Sequence, residues 1–217
     1  MPRLLLLTAA LIFLVTLVQF GLVSIAFEKL GLSQDSAYLL LAVTLGGSIV
    51  NVPLFDVAAE APPEVDPFQQ ELQRLLGLPQ REFKGRTVIA VNVGGAVIPV
   101  GFCLYLLLHN PLDAVQVIGV VAIVAAIAYL TSVPIRHVGI AMPFLVAPLA
   151  AALVSTQINR ELAAPLAYIG GTLGVLIGAD LLRLDAIPKL GAPIASIGGA
   201  GTFDGIFLSG FLAVLLA

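Results

Sequence analysis

Apolar residues gather into seven stretches, separated by short charged or turn-forming clusters: 4–27, 36–59, 87–108, 112–131, 138–158, 163–184 and 192–217. Each is about 20 residues long, the length an α-helix needs to cross a hydrocarbon core of about 30 Å. The stretches are continuously apolar and do not alternate in short runs, which selects helices over the strands of a membrane barrel. The pattern predicts an all-α fold, a polytopic transmembrane helical bundle of about seven spans forming a single domain over residues 1–217. The first apolar run extends over about 24 residues, past the usual length of a signal-peptide core, and reads as a retained helix.

Composition agrees. Hydrophobic residues make up 59% of the 217 and charged residues 11%, too few to coat a soluble surface. The net charge of −3 comes with no basic face, which argues against a nucleic-acid partner. Lys and Arg sort by side. Arg3, Arg74, Arg81, Lys84, Arg86, Arg136, Arg183 and Lys189 fall on the N-terminal side of the seven-span arrangement, and only Lys29 and Arg160 on the other. The positive-inside rule then places the N-terminus inside and the C-terminus outside, in a multi-pass protein of the cell (inner) membrane. The one sizeable connection, residues 60–86, is expected in the cytoplasm. In it Asp66-Pro67 reads as a helix start, Phe68, Leu72, Leu75 and Leu76 recur at helical spacing, and Gly77 reads as a stop. That predicts a short helix on the membrane surface.

The lone Cys103 reads as a packing residue, and His109 and His137 have no acid cluster at ligand spacing. No cofactor and no metal are expected. The informative residues are polar ones inside apolar runs, because a charge there needs water, a partner or a proton. Asp204 lies within the seventh run, surrounded by Gly198, Gly199, Gly201 and Gly205; Asp180 lies near the inner end of the sixth. If the seventh run is one straight helix, the two acids differ in depth by about 13 Å. If residues 192–200 form a loop or re-entrant piece, they can meet. Asn51 and Asp56 in the second run, and Asn92 in the third, would line a cavity open to the cytoplasm, or the asparagines would bond neighbouring helices. Gly46-Gly47, Pro53, Gly94-Gly95 and Pro99 interrupt the same two runs, and Gly170, Gly174 and Gly178 form a small-residue ridge for helix packing.

The segment Gly201-Thr202-Phe203-Asp204-Gly205-Ile206-Phe207-Leu208-Ser209 resembles the glycine–x–glycine–aspartate motif of the presenilin and signal-peptide-peptidase proteases. The resemblance implies catalytic roles for Asp180 and Asp204, on the sixth and seventh spans, and a transmembrane peptide as substrate. This chain has Phe203 for the motif's second glycine and Ala179 for the tyrosine before the first aspartate. It has seven spans where presenilins have nine, and the nearest echo of their proline–alanine–leucine motif is Ala147-Pro148-Leu149 on the fifth. The whole sequence also resembles a bacterial and archaeal family of small polytopic proteins with no assigned function. Three functions stand at this point: intramembrane aspartyl proteolysis, transport of an ion or small solute by discontinuous helices, and a non-catalytic scaffold acting through residues 60–86.

Overall fold

The computed structural model describes residues 11–13, 15, 21–60, 85–135, 139–199 and 205–217. Residues 4–10, 14 and 16–20 of the first run, the expected surface helix after Asp66, the Arg136–His137 corner, Gly201 and Asp204 lie outside the described residues.

The described chain is mostly helical. Its helices are α1 (Leu22–Lys29), α2 (Gln34–Gly47), α3 (Ile98–His109), α4 (Ala114–Thr131), α5 (Val146–Ile158), α6 (Ala163–Val175) and α7 (Gly205–Leu216). A π-helical turn, Val93–Val97, leads into α3. A second, Leu176–Asp180, continues α6 into a 3₁₀ segment, Leu181–Leu190. Among the described residues two helices are long and apolar enough to cross a membrane, Ala114–Thr131 and the continuous Ala163–Leu190.

Strands correct the all-α expectation. β1 (Asn51–Ala58), β2 (Arg86–Asn92) and β5 (Ile194–Ile197) form a sheet in the order β1-β2-β5. β1 is antiparallel and β5 parallel to β2, while β3 (Val133–Ile135) and β4 (Gly139–Ala141) make a small ribbon. The second, third and seventh apolar runs are therefore each a helix joined to a strand. Local chemistry favours the switch: β2 is rich in β-branched residues (Thr87, Val88, Ile89, Val91), and Pro53 in β1 cannot donate to a helical ladder.

α4 starts where the Oδ1 of Asp113 accepts the backbone N–H of Val115 at 2.8 Å and of Gln116 at 3.2 Å, an N-cap. At its other end, the Arg183 guanidinium donates to the carbonyls of Tyr129 (2.6 Å) and Ser132 (3.0 Å) and lies 4.1 Å over the Tyr129 ring. A cation there satisfies end carbonyls and complements the helix dipole. Arg183→Ala should cost about 1–2 kcal/mol, read as a lower melting temperature in detergent. Arg183→Lys should recover only part of it, because an ammonium lacks the flat fork that serves two carbonyls and a ring at once.

The helices pack on two apolar clusters. One gathers Phe27, Phe102, Tyr168, Phe207 and Phe211, with the Phe102 and Tyr168 rings edge to face at 4.9 Å. The other joins Val120, Val124, Ala147, Leu166, Ile206 and Ala213. The Gly170, Gly174 and Gly178 ridge lies against Val120, Val124 and Ala125 of α4, so closely that a Cβ on any of the three would overlap them. Its role is helix packing. A third cluster covers one face of the sheet, with Ile89 and Ile197 against Ile187 and Leu190 of the 3₁₀ segment.

Candidate functional site

The sheet's register decides which polar groups meet. Asn51 pairs with Asn92 across β1 and β2, and Ala90 pairs with Ser196 across β2 and β5. Opposed residues share a face and side chains alternate along a strand, so Asn51, Asn92 and Ser196 all project from the face opposite Ile89 and Ile197. They form one hydrogen-bonded group. Asn92 Nδ2 donates to the Ser48 carbonyl at 2.7 Å and to Asn51 Oδ1 at 3.1 Å, and the Ser196 hydroxyl donates to the same Asn51 oxygen at 2.5 Å. Asn92 Oδ1 accepts the Gly95 N–H at 2.7 Å, capping the π-turn. Asn92 is fully buried, and these bonds satisfy both ends of its amide.

The group sits where three broken runs cross. A Cβ on Gly95 would overlap the Gly198 carbonyl, so the π-turn and the end of β5 touch backbone to backbone. Gly198 itself has φ +80°, a left-handed conformation that glycine adopts without penalty. Its N–H donates to Asp180 Oδ2 at 3.1 Å. The carboxylate that ends the second π-turn is thus held against the turn after β5. Asp180 is half-buried, and single π-turns inside helices are frequent at functional sites.

Asn51, Asn92, Asp180 and Gly198 are therefore brought together, with Gly199 (φ +88°) in the same turn. The asparagines bond one another and the neighbouring backbone. Asp56 stands apart from the cavity lining expected of it: it lies further along β1 in an exposed ion pair, its Oδ2 2.8 Å from Arg86 Nε. Residues 192–199 contain a strand and a turn, so the straight-helix alternative for the seventh run is excluded. Gly201 and Asp204, the second acid, lie outside the described residues, and with them the separation of the two carboxyls. Among the described residues no cluster of His, Cys, Asp and Glu could hold a metal ion.

A family described as "Protein of unknown function (DUF1614)" matches residues 45–216. The chain belongs to this family. Its match begins just ahead of Ser48 and takes in every member of the polar group, Asp180 and Asp204. No curated protein and no solved structure matches the chain.

Sequence reasoning missed Ser48, which acts through its carbonyl, and Ser196, whose hydroxyl joins the group only through strand pairing. A signal was present in Ile194-Ala195-Ser196-Ile197, a short β-branched stretch ahead of Gly198-Gly199, which reads as strand then turn.

Proposed function

We propose that the chain is a multi-pass protein of the cell membrane, with its N-terminus in the cytoplasm, acting as an intramembrane aspartyl protease through Asp180 and Asp204. The exposed apolar side of α4 supports the membrane reading: Val115, Ile118 and Leu130 are each more than 60% exposed on a helix of mean hydropathy 2.3. Such a surface suits lipid and not water. The remaining runs would complete about seven spans.

The observation that carries the catalytic reading is the bond from the Gly198 N–H to Asp180. It tethers the first acid to the turn that begins the glycine-rich approach to the second. Two neighbouring carboxylates share a proton, because like charges at close range do not both ionise. The ionised one would take a proton from water as the water oxygen attacks the scissile carbonyl carbon. The protonated one would donate to the carbonyl oxygen. The C–N bond then breaks as the amine nitrogen is protonated. Among the described residues the outer edge of β5 carries no further strand, and it could pair with an extended peptide beside Asp180. The substrate would be a transmembrane peptide unwound at that level.

Asp180→Asn and Asp204→Asn, made separately, should each reduce cleavage of a transmembrane test substrate in proteoliposomes to background. Full cleavage by either variant would sink the proposal. A second reading, transport of an ion or small solute, draws on the same three broken runs, since half-helices ending at a polar layer also build transporter sites. Flux in the same vesicles that is lost on replacing Asp204, with no peptide cleavage, would favour it.

A further inference from the structure

The turn after α2 and the strand β1 carry an apolar surface without cover among the described residues. Ile49, Val50, Val52, Leu54 and Phe55 are 45–75% exposed. They run directly on from α2, whose Leu39 and Val43 are also exposed. The first charged side chain after them is Asp56, in its ion pair with Arg86. β1 carries a register shift between Pro53 and Phe55, an irregularity that bends a strand and re-aims its side chains.

Length says what should lie over this surface. α2 has 14 residues, a rise of about 21 Å, and a hydrocarbon core is about 30 Å thick, which leaves about 9 Å uncovered. That shortfall falls on the residues immediately after the helix, which stay apolar until Asp56. An open sheet edge is not tolerated deep in hydrocarbon, because its N–H and C=O groups would go unpaired. The interfacial zone supplies water and headgroups for them, and Pro53 removes one donor outright.

We propose that the Ile49–Phe55 surface is a membrane-embedded ribbon, covered by the acyl chains and headgroup boundary of the cytoplasmic leaflet, with the Asp56–Arg86 pair marking the level where lipid gives way to water. This rests on the membrane reading above and is independent of proteolysis. It would place the polar group around Asn51 inside the leaflet, with the sheet continuing the span that α2 leaves unfinished.

The chain contains no tryptophan, so a single introduced indole reports its own surroundings. Phe55→Trp and Ile123→Trp are compared in the full chain, in phosphatidylcholine vesicles whose acyl chains carry bromine either near the headgroup or near the chain centre. Ile123, exposed on α4, tests the membrane reading alone and should be quenched most by the deep bromines. Phe55→Trp should emit to the blue of aqueous tryptophan and be quenched most by the shallow bromines. If Ile123→Trp is quenched while Phe55→Trp emits as in water and responds to iodide, the ribbon proposal is overturned and the membrane reading stands. The ribbon also falls if Phe55→Trp is blue-shifted yet untouched by either bromine, since protein then covers the strand. If neither position is quenched, both readings fall.

Discussion

Gly95→Ala should leave little folded protein. The added Cβ would occupy the space of the Gly198 carbonyl group and press on Asn92 Oδ1. Neither backbone can retreat cheaply. Gly95 is capped by Asn92, and Gly198 closes a strand paired in register with β2 and is bonded to Asp180. A backbone-to-backbone overlap at a site fixed on both sides belongs to the rare class of substitutions costing more than about 4 kcal/mol. Detergent-solubilised Gly95→Ala should therefore melt far below the parent, or fail to accumulate. Gly101→Ala supplies the contrast. A Cβ there meets nothing within 4 Å, and replacing glycine inside a helix should stabilise by roughly 0.5–1 kcal/mol. Equal behaviour of the two variants would show that the π-turn and the turn after β5 do not touch as described.

Asn92→Ala should be the next most damaging change, at about 3 kcal/mol, because two buried backbone groups lose their partner and each unsatisfied group costs roughly 1–3 kcal/mol. These are the Ser48 carbonyl and the Gly95 N–H. The Asn51 carbonyl oxygen keeps the Ser196 hydroxyl, so Asn51→Ala should be milder than Asn92→Ala. Thermal unfolding of both variants, with the double variant to expose coupling, checks the order. A larger loss at Asn51 would mean that the shared hydrogen bonds are not arranged around Asn92.

The helical runs were legible because long, continuous apolar stretches exceed the length of ordinary strands. The fourth run, read as 112–131, is α4 at Ala114–Thr131, and the fifth ends at Ile158 in both readings. The sheet was not legible. β1 and β2 are apolar over most of their length, and a short apolar run has no period that separates strand from helix. What makes 86–92 a strand is its pairing with residues 51–58 and 194–197, which are distant in sequence. Within the candidate site, Asn51, Asn92 and Asp180 stood out because polar side chains are conspicuous in an apolar run. The same reasoning overvalued Asp56, because it assumed a helix carrying that residue inward. The strand carries it to Arg86 instead. Ser196 and Gly95 matter through contacts made by the fold: local sequence marked a short strand and a glycine pair there, but not what each would touch.

The parallel pairing of Val88 with Ile194 has a consequence for biogenesis. A ribosome delivers β2 long before its partner exists, so that strand must wait, with one side unmet, until residues 194–197 follow. Chains cut short after Leu190 would never close the ladder. Quality control in the cell should treat such fragments as unfinished even when every earlier helix has formed.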